Sequence, residues 1–383
     1  MGAPFAVVRV ESVAGSSVGR MTPFRIDIPQ TVLDDLADRL ARTRWPDSVA
    51  DDDWSWGTDP TALRTLVGRW TNGYDWRATE ARLNALEHVR VGSPAVHAIR
   101  AGTPGMTPLM LVHGWPDSFL RFEKALPLLA DRFDIVVPSI PGFGFSDRPT
   151  EPGSGAARVA DLLAATMSEL GFDRYVVHGG DVGSTIAETI AHRHADHVIG
   201  VHLGDVPFWH RYTLDPASLD DDETAWADSM AEWSQSEGAY ALLQRTKPQT
   251  LAYALTDSPI ALAAWYLEKF RAWSDNGGDV FSVFTPDELL DDITLYWVTA
   301  TAASAARYYR DSALHPTGTT GAAPVPAGFA IFPKDINPAP RVYAERFFDV
   351  RRWTRMPRGG HFGPWEQPEL FARELRAFVD DLG

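Results

Sequence analysis

Residues 175 to 184, Tyr-Val-Val-His-Gly-Gly-Asp-Val-Gly-Ser, run an apolar strand into a tight Gly-x-Asp-x-Gly turn and on into a helical stretch, Thr185 to His194. A strand-to-helix corner this sharp crowds its own backbone, and glycines at 179, 180 and 183 remove the Cβ atoms that would collide there. The side chain of Asp181 then projects from the edge of a sheet. Other strand-like runs lie at His88–Val91, Val96–Ile99, Met110–Val112, Ile135–Pro138, Ile199–Leu203, Phe329–Phe332 and Arg352–Arg355, with the corner's own strand at Tyr175–Val177. In the later part they alternate with helical patterns, which argues for a mostly parallel sheet opened by a hairpin. Between about residues 208 and 318 the alternation stops, and aromatic, helix-forming segments take over.

The corner resembles the nucleophile elbow of the α/β-hydrolases, with Asp181 where an esterase carries serine. A carboxylate in that place attacks a saturated carbon, forms an ester with the protein and waits for water to hydrolyse it, which points to epoxides or alkyl halides instead of esters. The resemblance implies an α/β fold: a mostly parallel eight-stranded sheet flanked by helices, with a helical lid inserted after the sixth strand. Leu-Met-Leu-Val-His-Gly-Trp-Pro, residues 109 to 116, matches the strand and turn before the first core helix. In this fold that turn and the residue after the nucleophile each give one backbone N–H to an oxyanion hole, here Trp115 and Val182. His113, at the strand end, is expected to brace the loop.

The base expected for such an aspartate is His361, in Met-Pro-Arg-Gly-Gly-His-Phe-Gly-Pro-Trp-Glu, between a strand-like run and the periodic closing segment Leu370 to Leu382. Its imidazole needs a carboxylate on the other nitrogen to hold the tautomer and stabilise the imidazolium. The short apolar run Gly328-Phe-Ala-Ile-Phe-Pro-Lys-Asp335 supplies one, so that the chain order Asp181, Asp335, His361 follows the hydrolase order of nucleophile, acid and histidine. Asp205, after the run Val198 to Leu203, is the competing acid.

Together these residues resemble the epoxide hydrolases, in the branch of the microsomal and juvenile-hormone enzymes, over nearly the whole chain from about residue 22. Phe24-Arg-Ile-Asp-Ile-Pro, Arg44-Trp-Pro and Tyr74-Asp-Trp-Arg are similar to that branch's amino-terminal region. His113-Gly-Trp-Pro, Gly180-Asp-Val-Gly-Ser and Arg358-Gly-Gly-His-Phe resemble its catalytic loops, and Thr246-Lys-Pro, Asp257-Ser-Pro, Glu268-Lys-Phe and Arg307-Tyr-Tyr its lid. By position in those lid motifs, the resemblance makes Tyr240 and Tyr309 the two phenols that activate the epoxide oxygen. Val182 stands where the microsomal enzymes usually carry tryptophan, but only its backbone is needed for the oxyanion hole. The implied activity is cofactor-free hydrolysis of a small apolar epoxide by water to a vicinal diol, with homo-oligomerisation left open. A haloalkane or haloacid dehalogenase shares the aspartate nucleophile, although Val182 offers no side-chain donor to a departing halide. A non-catalytic binding protein on the same scaffold is the third reading.

The implied organisation is an extension at 1–21, an amino-terminal region at 22–95, core at 96–207, lid at 208–318 and core again at 319–383. Residues 1–20 read as a dispensable, disordered extension, with Met21 as a candidate start. In the amino-terminal region, Thr31 to Arg42 places Val32, Leu33, Leu36 and Leu40 on one helix face, a segment expected to pack against the core. With 35 basic against 51 acidic residues the formal net charge is -16, which opposes binding to nucleic acid or anionic membrane. Zero cysteines exclude disulfides and thiolate chemistry. No apolar run reaches the 18 or so residues needed to span a bilayer, and the start makes a poor secretory signal, so a cytoplasmic location is the default expectation. His192, His194 and His197 lack the spacing of a helical metal motif, and Gly142-Phe-Gly144 lacks the third glycine of a dinucleotide fingerprint, so neither metal nor cofactor is expected. The acidic runs Asp51–Asp53 and Asp220–Glu223 suit solvated faces or helix starts. The lid tryptophans, Trp209, Trp226, Trp233, Trp265 and Trp273, imply an apolar pocket.

Overall fold

The computed structural model describes residues 21–49, 54–213, 215–336 and 338–383. The extension expected at 1–20 and the acidic run Asp51–Asp53 lie outside the described residues.

A single mixed sheet holds β1 (Thr22–Phe24), β2 (Glu87–Val91), β3 (Val96–Gly102), β4 (Thr107–Val112), β5 (Phe133–Pro138), β6 (Tyr175–Gly179), β7 (Val198–Leu203), β8 (Ala323–Ile331) and β9 (Phe348–Arg355). Their order across the sheet is β1-β2-β3-β5-β4-β6-β7-β8-β9. Pairing is antiparallel from β1 through β3 to β5 and parallel from β5 onward. The sheet is therefore mostly parallel, with the expected hairpin at β2–β3, but among the described residues it has nine strands and not eight. The added strand is β1, whose three residues pair with His88–Arg90 and are too short to show a periodic pattern. β8 also starts six residues before the expected Phe329, inside the proline-rich return from the lid. Prolines 324 and 326 are tolerated because β7 pairs only with Ala327–Phe329, beyond them, and the β8–β9 register shifts at that point.

β6 is buried at all five residues, between β4 and β7. Helices on both faces explain why its sequence is a continuous apolar run without alternation. β4, β6, β7, β8 and β9 run parallel, so their carboxyl ends share one edge, and in open α/β sheets the ligand crevice lies outside that edge.

Among the described residues, six α-helices and three short 3-10 turns lie between β7 and β8, the α-helices being Asp221–Ser236, Ala239–Thr246, Pro248–Asp257, Pro259–Trp273, Pro286–Thr299 and Ala302–Leu314. The acidic run at 220–223 starts the first of them as a capping box, in which Asp220 and Glu223 each accept the other's backbone N–H. The amino-terminal helix spans Gln30–Ala41 and buries Leu36 and Leu40. Ile26, Ile28, Trp76 and Leu83 of this region join the core cluster of Leu109 and Leu111. The region also grips the lid. Arg69 makes two hydrogen bonds to Asp287, at 2.6 and 2.7 Å, and the Tyr74 hydroxyl donates to Asp291 at 2.8 Å, both on the helix Pro286–Thr299. Among the described residues no helix is long and apolar enough to cross a membrane.

Candidate active site

The corner after β6 holds Asp181 at φ 59° and ψ −129°, one of two non-glycine residues described with positive φ. Such a conformation costs about 1–3 kcal/mol and persists only where the surroundings impose it. Close packing imposes it here. A Cβ at Gly179 would lie 2.1 Å from the Gly183 carbonyl oxygen, and one at Gly183 would lie 2.5 Å from that of Val112. The helix Val182–Arg193 is thus pressed against the ends of β4 and β6, and Asp181 is lifted off the sheet edge.

Four strand ends converge on Asp181. From the loop after β4, the Trp115 N–H donates to Asp181 Oδ1 at 2.8 Å. Val182 occupies the first helical position, where an N–H has no intrahelical acceptor. From the loop after β9, His361 Nε2 lies 3.5 Å from Asp181 Oδ2 and has no hydrogen-bond partner. From the end of β8, Asp335 Oδ1 accepts the His361 Nδ1 proton at 2.7 Å. Asp205, the competing acid, sits after β7 and points the other way: its Oδ1 accepts the Asp181 N–H at 2.7 Å and its Oδ2 accepts the Ser184 hydroxyl at 2.9 Å. It braces the elbow from beneath and has no hydrogen bond to His361. Burial, and then the charge of Asp335, raise its pKa.

Burial alone would lower the pKa of His361, but the carboxylates of Asp335 and Asp181 outweigh it and hold the ring as an imidazolium up to about 10. His113 is fully buried, gives its Nδ1–H to the Gly114 carbonyl at 2.9 Å and accepts the Ile140 N–H on Nε2 at 3.1 Å. Burial pushes it down to about 4, which leaves it neutral and suited to bracing the loop.

Above Asp181 the lid supplies an aromatic wall. Tyr240 stacks on Trp115 with centroids 5.1 Å apart and planes at 4°, and Tyr309 meets the same indole edge-on at 5.8 Å. The two tyrosine rings are 6.1 Å apart. Burial first, and the Asp181 charge second, push both phenols well above their ordinary pKa of 10, so both remain protonated donors. The Tyr309 hydroxyl is buried without a hydrogen-bond partner among the described residues. Trp273 closes the wall at 5.3 Å from the His361 ring.

Sequence reasoning missed three supporting residues. Arg121, 2% exposed, pairs through Nε with Asp117 Oδ2 at 2.9 Å and donates from Nη2 to the His361 carbonyl at 2.5 Å. Asp117 Oδ1 in turn accepts the Gly114 N–H at 3.0 Å, so this buried ion pair ties the Trp115 loop to the histidine loop. Glu366 collects the backbone N–H groups of Asp275, Gly360 and Phe362 at 2.8 to 3.0 Å, and so joins the histidine loop to the end of a lid helix. Its position five residues after His361 was the available signal. Nothing local marks Arg121, because its partners come from folding.

Comparison with known proteins agrees with this architecture. Residues 21–122 match the family model for the epoxide hydrolase N terminus, and residues 107–249 match that for the alpha/beta hydrolase fold. A Stigmatella aurantiaca relative is 40% identical over 93% of this chain and 84% of its own length. Epoxide hydrolase 1 of Sus scrofa is 31% identical, with 93% of this chain and 88% of that protein covered. The chain belongs to the epoxide hydrolase family. The crystal structure of juvenile hormone epoxide hydrolase from Bombyx mori superposes with a TM-score of 0.85 over 95% of both chains at 26% identity. This epoxide hydrolase therefore shares its fold with a solved member across nearly its full length.

Proposed function

We propose that this epoxide hydrolase opens its substrate through a covalent ester on Asp181. The observation that carries the proposal is the split environment of that carboxylate: Oδ1 is held by the Trp115 N–H, while Oδ2 lies 3.5 Å from His361 Nε2, and the carboxylate's charge reaches both lid phenols. In the first step Oδ2 attacks one ring carbon, the carbon–oxygen bond breaks, and the ring oxygen takes a proton from Tyr240 or Tyr309. Phenols held protonated by burial and by the neighbouring carboxylate are the donors this step needs.

Alkylation then alters the base. Asp181 becomes a neutral ester, one of the two charges that held the proton on His361 is gone, and the imidazolium gives up its proton, which restores the phenol deprotonated in ring opening. Neutral His361, oriented by Asp335, takes a proton from water. The resulting hydroxide adds to the ester carbonyl, whose Oδ1 carries the negative charge against the N–H groups of Trp115 and Val182. Collapse breaks the ester bond, the departing alkoxide takes the proton of the added hydroxyl, and the diol leaves with one oxygen from Asp181 while the water oxygen stays on the carboxylate and His361 is again an imidazolium. Product analysis on aryl, aliphatic and terpenoid epoxides by chiral chromatography tests the proposal. Diol formation is expected, whereas halide release from alkyl halides without diol formation would overturn it.

A further inference from the structure

A second site lies at the seam between lid and core. A cavity of about 700 Å³ opens between the loop after β5, through Pro141, Arg148 and Pro149, and the lid, through Pro248 and the helix Ala302–Leu314. That volume suits a small organic ligand. From the helix come Ser304, Arg307, Tyr308, Asp311 and Leu314, the spacing of one continuous face. We infer that this cavity is a binding site for the carboxylate of an amphiphilic monocarboxylic acid, held by Arg307 and Arg148.

The charges are unbalanced where they meet. Half-buried Arg307 forms no hydrogen bond or ion pair among the described residues, and Arg148 has one bond, from Nη1 to the Ala300 carbonyl at 3.2 Å. Arg307 is lowered by burial first and by Arg148 second, so the two guanidinium groups repel each other across the cavity. Of the acids that line it, Asp311 offsets the Arg307 charge only in part, its effect being smaller than that of Arg148. Asp311 is engaged by the N–H groups of Gly153 and Ser154, both at 3.2 Å, and Glu151 is exposed and forms no ion pair. Arg310 on the rim donates to the carbonyls of Arg245 and Thr246.

Two cations with no ion-paired carboxylate among the described residues, in a chain of net charge -16, leave a place for one anion. The neighbouring Glu151 and Asp311 favour a monoanion over a dianionic phosphate, and the prolines, Tyr308 and Leu314 favour an apolar tail. A ligand here touches the helix that carries the proposed epoxide-activating phenol. Tyr308 lines the cavity, and its ring lies 6.4 Å from that of Tyr309. The carboxylate can belong to the substrate itself or to a separate acid. Only that question of source rests on the proposed reaction.

Calorimetry on the full chain with octanoate, and with 1-octanol as the uncharged control, tests the site directly. Octanoate is expected to bind at least tenfold more tightly than octanol. Arg307→Gln and Arg148→Gln should each weaken octanoate roughly tenfold or more, the value of a charge-assisted hydrogen bond, without changing octanol. Equal affinity for the two probes, or unchanged octanoate binding in both folded variants, would overturn the inference. If one variant does not fold, the other decides. Inhibition by octanoate of styrene oxide turnover separates the sources: competition assigns the carboxylate to the substrate's own path, and non-competitive inhibition to a separate acid. Absence of styrene oxide turnover would count against the proposed reaction and leave the calorimetric result standing.

Discussion

Replacing Arg121 by methionine removes a cation from the most crowded part of the site and leaves its partner behind. Arg121 and Asp117 are both almost fully buried, and Arg121 is the only cation in ion-pair contact with Asp117 among the described residues. Breaking such a pair by deleting one partner costs about 3–5 kcal/mol, because an uncompensated charge stays buried. That is a large share of the roughly 5–15 kcal/mol that holds a typical domain together. The sign of the pH dependence follows from Asp117. Burial already raises its pKa despite the lowering by Arg121, so Arg121→Met must raise it further. A carboxyl whose folded pKa lies above its unfolded value stabilises fully below the unfolded value and loses that contribution as pH rises through the folded one. The variant's deficit should therefore be larger at pH 8 than at pH 5. Urea unfolding followed by the fluorescence of the 14 tryptophans measures it. Adding Asp117→Asn removes the stranded charge and should restore most of the loss. A deficit under about 1 kcal/mol at pH 8, or no recovery in the double variant, would refute a stabilising pair. Because Arg121 also holds the His361 carbonyl, its loss should slow ester hydrolysis more than ester formation.

Single turnover in heavy-oxygen water should place label on Asp181 before the diol, and label in the first diol would make Asp181 a general base. Asp181→Ala should be inactive with its fold intact by circular dichroism. His361→Gln should accumulate an adduct on Asp181 visible by intact mass, and in the wild type the hydrolysis limb should titrate well below about 10, because the ester no longer holds the histidine proton; a limb rising only near 10 contradicts this. Tyr240→Phe and Tyr309→Phe should each slow alkylation about a hundredfold to a thousandfold in rapid-quench measurements, and the double variant should be nearly inactive. Undiminished alkylation there would remove the phenols from the mechanism. Asp335→Ala should cut hydrolysis sharply, whereas Asp205→Ala should chiefly destabilise the elbow by about 1–3 kcal/mol, having stripped the Asp181 N–H of its acceptor. The reverse pattern in kinetics and urea unfolding would exchange the two roles.

Chain order, glycine placement and the apolar run of β6 carried the resemblance to the hydrolase elbow and architecture, and the amino-terminal, catalytic-loop and lid motifs carried the resemblance to the family, because each rests on a few neighbouring residues. The helix expected from Thr185 starts instead at Val182, directly after the corner, and the positive φ at 181 is imposed by the packing around it. Asp205 and Asp335 show where local rules end. Both follow parallel strands that end at one edge; chain order favours Asp335, but no local rule shows what Asp205 does instead. Only the approach of the loop after β9 decides which carboxylate meets His361 at 2.7 Å and which turns back to the Asp181 N–H. The ninth strand, the grip of the amino-terminal region on the lid and the Asp117–Arg121 tie were illegible for a related reason. Three residues of β1 carry no period, and Arg69 is 218 residues from Asp287, as Arg121 is 240 from His361. The partners of such charges are set by where the chain returns, and that is decided when the sheet and lid pack.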